Sequence, residues 1–177
     1  MEGAYGREPQ EEAVGRGRVG VRRKGPRAMT TTTIKRSIHV DAPVEEVFKH
    51  VADPRHIYDA MAAVSPKYPP VLAEVNMKPE GVGSTYQWIG HLWSLLYMGG
   101  TTTREEYTPN ERIVDHSSTG PYWTFTFEPA ATGTTLSMAV ELSTKVPFLD
   151  KLEAAVFTNG DQDFDAMLDA FKKAIET

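Results

Sequence analysis

Five histidines, seven tyrosines and three tryptophans supply most of the side chains from which a reactive or binding site could be built. The chain has no cysteine, which excludes disulfides, a thiolate metal site and a cysteine nucleophile. Asp115, His116 and Ser117 bring the three residue types of a hydrolytic triad together. Consecutive residues of a strand point to opposite faces, so His116 cannot meet both neighbours, and we predict no triad.

The histidines also give no metal-binding pattern. His50 and His56 are six residues apart and are separated by Pro54. Metal ligands on one helix are typically four residues apart, and ligands on strands must be neighbours. We therefore predict no metal and no cofactor.

Three residues remain as weak catalytic candidates: His91, Asp115 and Tyr86. Asp115 shares a strand face with Ile113 and could be an inward polar group. The neighbouring run Arg104-Glu105-Glu106 is interpreted as a solvated strand face, with an inward Glu105 as the alternative. A buried carboxylate there would have a raised pKa and could act as an acid or a base.

Aromatic and methionine side chains are the candidates for binding. They could simply fill a core, or they could stack on a flat or apolar ligand, and the sequence leaves both open. Buried tyrosine and tryptophan are the better candidates because their polar atoms need a partner. The predicted ligand-binding residues are Tyr58, Tyr86, Trp88, Tyr107, Asp115, Trp123, Phe125, Met138, Phe157, Phe164 and Met167.

Seven strands are predicted to position these residues, because each segment alternates apolar and polar side chains or lies between turn signals. In Tyr122–Pro129 and Thr134–Val146 the alternation is regular, which is typical of a sheet with one buried face. The other predicted strands are Thr32–Val40, Val71–Pro79, Ser84–Trp93, Leu95–Thr108 and Arg112–Ser118.

Helical patterns flank the strands. Val44, Val47, Phe48 and Val51 form one apolar face after Asp41-Ala42-Pro43, which we interpret as a helix N-terminus capped by the aspartate. A second short helix is predicted over Asp53–Met61. From Phe148 to the C-terminus the period returns to 3.6, with an interruption at Asn159-Gly160.

This order of elements predicts an α+β fold in which a curved antiparallel sheet wraps round a long C-terminal helix. A sheet of six or seven strands twists and bends, and one helix cannot cover its whole concave face. Space should remain between sheet and helix, closed at one end by the two short helices. Concave, mostly apolar spaces of this kind bind small molecules.

The charge is unevenly distributed. Residues 1–28 hold seven Lys and Arg against four Glu, a net of +3, and the remaining residues hold 12 basic and 20 acidic side chains, a net of -8. We interpret residues 1–28 as a disordered basic leader and residues 29–177 as one ligand-binding domain. An acidic body is a poor partner for nucleic acid. No membrane span or secretion signal is found, so we expect a cytoplasmic protein.

Several segments resemble one superfamily along about Thr32 to Glu176. "IHVDAPVEEVFKHVADP" is similar to the opening of the helix-grip proteins, called SRPBCC: START-related lipid-transfer domains, the birch pollen allergen and bacterial polyketide cyclases. "EGVGSTYQW", "TPNERIVDHSSTGP", "WTFTFEPAATGTTLSMAVEL" and "AMLDAFKKAIE" resemble its later segments. The resemblance implies the helix-grip fold and a cavity. In the cyclase branch it implies a basic group near His91 that polarises a carbonyl.

Three functions stay open on this evidence. The first is binding of a small hydrophobic or aromatic ligand such as a lipid, an isoprenoid or a polyketide. The second is a polyketide cyclase, aromatase or dehydratase acting on a bound acyl chain, chiefly by positioning it. The third is a protein-interaction module that holds no ligand. Ligand identity and oligomeric state do not follow from the sequence.

Overall fold

The computed structural model describes residues 30–65, 69–93, 96–144 and 160–177. Within them, seven antiparallel strands form one sheet in the order β1-β7-β6-β5-β4-β3-β2. The chain therefore leaves the edge strand β1, crosses to the opposite edge through two helices, and returns strand by strand until β7 pairs with β1. The strands are β1 (Thr30–Val40), β2 (Val71–Asn76), β3 (Thr85–Trp93), β4 (Leu96–Thr108), β5 (Arg112–Ser117), β6 (Tyr122–Pro129) and β7 (Thr134–Thr144).

Two short helices make the crossing, α1 (Val44–Ala52) and α2 (Pro54–Val64). Helix α1 buries Val47, Phe48 and Val51, the apolar face that the sequence predicts. Its N-cap is Pro43 and no side chain caps it, so the predicted capping role of Asp41 is wrong. An aspartate does cap α2, where Asp53 accepts a hydrogen bond from the Arg55 N–H at 3.0 Å.

The packed core lies under β6, β7 and β1. Leu136, Met138 and Val140 alternate along β7 and are completely buried. Phe125 of β6 lies opposite Met138 and meets Phe171 of the C-terminal helix edge to face, with ring centroids 6.4 Å apart. This helix, α3 (Gly160–Ile175), buries Phe164, Met167, Leu168 and Phe171.

Polar contacts fix the end of α3 against the start of the domain. Lys172 Nζ donates to the carbonyl oxygen of His39 at 2.8 Å, and Glu176 Oε1 accepts from the N–H of Asp41 at 2.7 Å. The helix therefore stays over the strand-to-helix junction, and its apolar face lies on the β1 side of the sheet.

The predicted α+β helix-grip architecture is confirmed, with strand ends that differ by three residues or fewer from the predicted ones. Helix α2 continues to Val64 rather than ending at Met61. The predicted leader over residues 1–28, the helical stripe beginning at Phe148 and the residue Phe157 lie outside the described residues. Among the helices described, none is both long and apolar enough to cross a bilayer.

Candidate functional site

A partly open cavity of about 110 Å³ lies between α2 and the inner face of the sheet. Helix α2 contributes one wall, and strands β3 to β6 with their connecting turns contribute most of the rest, together with Pro70 just before β2. Its described lining is mostly apolar. The residues are Ile57, Tyr58, Met61, Pro70, Tyr86, Trp88, Thr102, Ser117, Thr119, Pro121, Trp123 and Phe125.

A buried polar cluster lies behind this wall, formed by Arg104, Asp115 and Tyr86. Arg104 Nε donates to Asp115 Oδ1 at 2.9 Å, and Nη2 donates to Oδ2 at 3.1 Å. The Tyr86 hydroxyl donates to Asp115 Oδ2 at 2.8 Å. Arg104 and Asp115 are completely buried, and Arg104 Nη1 also donates to the carbonyl oxygen of Ala52 at 2.9 Å. The cluster therefore ties β3, β4 and β5 to the end of α1.

Arg104 corrects the prediction that Arg104-Glu105-Glu106 is a solvated strand face. A bulge between Arg104 and Glu106 changes the pairing of β4 with β5, so that Arg104 lies opposite Asp115 and both point inward. Glu105 does not point inward. It is exposed and accepts from His116 Nδ1 at 2.9 Å on the outer face.

The two tyrosines on the wall are held in their protonated forms. Burial raises the pKa of Tyr86 well above its ordinary value, and the charge and hydrogen bond of Asp115 raise it further. Burial also raises the pKa of Tyr58, against the opposing effect of its hydrogen bond to Thr102. Their rings meet edge to face with centroids 6.0 Å apart. At neutral pH both residues therefore offer hydroxyl groups rather than phenolates.

Arg104 stays charged for a related reason. Burial alone would lower the pKa of its guanidinium, but the hydrogen bonds to Asp115 outweigh burial and raise that pKa. The cluster is then an ion pair of zero net charge, completed by a phenol.

The structure brings five of the predicted ligand-binding residues to the cavity: Tyr58, Tyr86, Trp88, Trp123 and Phe125. Their contact with a ligand stays a prediction. Asp115 lies behind Tyr86, and its neighbours in alternation, Ile113 and Ser117, are buried too, as predicted for that face.

Four other predicted residues lie away from the described lining of the cavity. Met138 and Met167 are in the packed core, and Phe164 stacks on Trp123 with centroids 5.9 Å apart. Tyr107 packs edge to face on Phe48 at 5.1 Å and lies under the Arg104 guanidinium. These side chains support the cavity from behind. The side chain of His91 lies outside the described side chains, although its backbone pairs with Tyr97.

A second groove, of about 360 Å³, lies between α2 and α3 on the opposite side of the helices. Here His50 and His56 stack in parallel with ring centroids 3.9 Å apart, although their spacing does not predict a contact. His56 Nδ1 bonds to the carbonyl oxygen of His50 at 2.8 Å, and because a carbonyl only accepts, that nitrogen carries the proton. The turn at Asp53-Pro54 brings the two rings together.

Fold and cavity together define a helix-grip protein with an apolar space beneath its sheet. The chain belongs to the family described as polyketide cyclase/dehydrase and lipid transport, which matches residues 31–176. None of the curated proteins matches the chain in sequence.

Solved structures with the same fold are similar at low sequence identity. Protein CV1439 from Chromobacterium violaceum is 19% identical, with a TM-score of 0.60, covering 82% of this chain and 97% of its own. Protein TTHA0849 from Thermus thermophilus is 14% identical, with a TM-score of 0.59 and coverages of 81% and 97%. The protein Ara h 8.0201 is 12% identical, with a TM-score of 0.56 and coverages of 82% and 98%. At these identities the likeness establishes the fold alone.

Proposed function

We propose that this protein binds a small, mostly apolar molecule in the cavity between α2 and the sheet. The observation that carries the proposal is the composition of that cavity: aromatic and aliphatic walls with a few hydroxyl groups. Binding sites for small molecules have this composition, because apolar area provides affinity and a few polar atoms fix orientation. Family membership supports the same conclusion.

The size of the cavity limits what it encloses. Cavities that bind drug-sized molecules are roughly 300–1,000 Å³. At about 110 Å³ this one encloses only a small group, and a lipid, an isoprenoid or a polyketide would extend through the open side. We therefore propose that the buried part of any longer ligand is no larger than about one ring.

Recovery of a bound molecule tests the proposal directly. The protein is purified from its own host and examined by native mass spectrometry, and bound molecules are extracted and identified. We expect a mass increment that disappears on denaturation. Absence of any increment, together with no thermal shift from apolar probes, would contradict the proposal.

A variant at the cavity rim makes the test specific. Thr119 is exposed and lines the cavity, so Thr119→Trp should fill the opening and reduce binding of an apolar fluorescent probe at least about tenfold. Thr132→Trp, in the exposed turn before β7, is the matched control and should bind as the unaltered protein does. Equal loss in both variants would show that the cavity is not the site.

A second candidate function is a cyclase or dehydratase reaction on a bound carbonyl compound. The observation that favours it is the chain Arg104–Asp115–Tyr86, which joins a buried carboxylate to a phenol on the wall. Against it, both oxygens of Asp115 already accept hydrogen bonds, and the raised pKa of Tyr86 opposes its loss of a proton. The geometry therefore favours binding.

Hydrogen–deuterium exchange separates these two functions. The cyclase and dehydratase reactions both begin by removing a proton next to a carbonyl. An active enzyme should therefore accelerate the exchange of deuterium into acetophenone in D₂O. We expect no acceleration. A rate that rises with the protein and is lost in Asp115→Asn would establish the catalytic function instead.

A further inference from the structure

We infer that the cavity selects an uncharged molecule with a hydroxyl group on a body of about one ring. This inference rests on the proposed binding function and names the class of ligand. It follows from the charges around the cavity, the number of hydroxyl protons on its wall and its volume.

Charge is the first criterion. None of the described residues that line the cavity is charged. The nearby charges, Arg104 and Asp115, are buried behind the wall and neutralise each other through two hydrogen bonds. An ionised carboxylate or ammonium inside the cavity would lose its water and gain no opposite charge from the described lining, which is strongly unfavourable. Molecules that must place an ionised group inside the cavity are therefore poor ligands.

The Tyr86 hydroxyl is the second criterion. A phenol has one proton to donate and lone pairs with which to accept. Both oxygens of Asp115 accept hydrogen bonds from the Arg104 guanidinium, so this carboxylate is an acceptor. Tyr86 therefore donates its single hydroxyl proton to Asp115. With respect to a ligand, the Tyr86 oxygen can then only accept a hydrogen bond. A ligand group that donates can therefore pair with Tyr86, and one that only accepts cannot.

The adjacent hydroxyl pair behaves differently. Ser117 and Thr119, both on the wall, share a hydrogen bond between their hydroxyl oxygens at 2.8 Å. Two hydroxyls that share one hydrogen bond use one of their two protons, and the second proton remains to be donated. This pair therefore offers a donor in the same cavity as the Tyr86 oxygen, and the Tyr58 hydroxyl, on a ring that meets Tyr86 edge to face, lies on that wall too.

A hydroxyl group on the ligand suits both the Tyr86 oxygen and the hydroxyl pair, because it can donate one hydrogen bond and accept another. A ketone or aldehyde only accepts, so it could pair with Ser117 and Thr119 but would give the Tyr86 oxygen no donor. A site built to hydrogen-bond a hydroxyl rejects an analogue that lacks it, because buried polar groups then stay unpaired.

Volume sets the third criterion. An engineered apolar protein cavity of about 150 Å³ holds benzene. The present cavity, about 110 Å³ and open on one side, has room for at most one such ring, with its substituent at the wall. The selected class is therefore a ring-sized alcohol or phenol, or a larger molecule that ends in one.

Four probes of one shape test the inference on the unaltered protein: toluene, benzyl alcohol, benzaldehyde and benzoate. Dissociation constants are measured by protein NMR titration. We expect benzyl alcohol to bind about tenfold more tightly than benzaldehyde, and benzoate to bind at least about a hundredfold more weakly than the alcohol.

The outcomes distinguish this inference from the proposed function. If no probe binds, toluene included, the binding function and the inference both fail. If the probes bind but benzaldehyde or benzoate equals or exceeds the alcohol, the inference is overturned and the binding function stands. The expected order supports both.

A matched pair of variants tests whether Tyr86 causes the preference for the alcohol over the aldehyde. Tyr86→Phe removes the acceptor and should reduce the preference for alcohol over aldehyde to within about twofold. Tyr122→Phe makes the same chemical change on a tyrosine that stacks on His116 away from the cavity, and should keep the full preference. Melting curves show whether each variant is folded. A preference retained in a folded Tyr86→Phe protein overturns the inference.

Discussion

Strand β7 packs tightly under helices, whereas β2 and β3 at the other end of the sheet leave part of their inner face exposed, although Tyr86 of β3 is buried. On β7, Leu136, Met138 and Val140 have no exposed surface. Leu72 and Trp88, paired across β2 and β3, are only half-buried. Among the described elements, α1 and α3 pack mainly on the first end, and α2 packs on β2 at the second.

The difference shows what an alternating pattern does and does not specify. It specifies which side chains share a face, because the period of a strand is two. It does not specify what covers that face. Between the two ends, β4 and β5 bury four polar side chains on the inner face: Thr102, Arg104, Asp115 and Ser117. An ion pair and hydroxyls occupy the boundary between core and cavity.

The largest predicted effect comes from removing one partner of the buried ion pair at that boundary. Asp115→Ala leaves the Arg104 guanidinium buried without its partner, which typically costs about 3–5 kcal/mol. We expect a decrease of that size in the free energy of unfolding, measured by urea denaturation.

Glu106→Ala provides the control, because its partner Arg112 lies on the exposed side of the same strands at 3.0 Å. An exposed pair contributes about 0–1 kcal/mol. Similar losses in the two variants would show that burial does not distinguish these ion pairs.

The second prediction compares one substitution at the two ends of the sheet. Leu136→Ala, in the packed end, should cost about 3 kcal/mol, because it creates a cavity that neighbours cannot fill. Leu72→Ala, in the half-buried end, should cost about 1 kcal/mol. Both values come from denaturant unfolding. Equal costs would contradict the contrast between a packed end and a hollow one.

The smallest predicted effect concerns pH at the helix-covered end. Burial, and then the charge of His56, lower the pKa of His50 below 6.5, although Asp53 and Asp59 oppose this. Lys173 also lines the groove. The unfolded chain therefore takes up a proton at a higher pH than the folded protein. The stability from neutral His50 is complete above pH 6.5 and is lost as the pH falls from 6.5 to the pKa of the folded state.

Replacement of His50 tests the predicted direction of this pH dependence. Unfolding free energies measured between pH 7 and pH 5 should fall less steeply for His50→Gln than for the unaltered protein. An unchanged slope would assign the pH dependence to other groups. NMR titration of the His50 ring gives its pKa independently.

Most of the fold could be predicted because its signals are local. The alternation in Tyr122–Pro129 and Thr134–Thr144, and the apolar face of Val47, Phe48 and Val51, depend only on the geometry of a strand or a helix. The N-terminus of α1 was the exception. By residue type Asp41 fits a cap and Pro43 fits the first turn, and only the backbone path shows that Pro43 itself occupies the cap position without a side-chain bond.

The candidate site was predicted less completely. Tyr86 and Trp88 could be proposed as wall residues from type and alternation, and Tyr58 from its type alone. The direction of Arg104 could not. Counting back from inward Tyr107 by alternation would place Glu105 inward, and only the pairing of β4 with β5 reveals the bulge between Arg104 and Glu106 that turns Arg104 inward instead. The stacked pair His50 and His56 depends on the angle between two helices, which their spacing does not encode.

The sequence by itself determined the order of the elements, the faces of the helices and strands, and the aromatic side chains that lie on one side of the sheet. Those properties arise between residues that are close along the chain. Only the tertiary structure decided that Arg104 meets Asp115, that Tyr86 gives its proton to that carboxylate, and how large a space α2 encloses. Each of these depends on distances between segments far apart in sequence, which strand register and helix placement fix together.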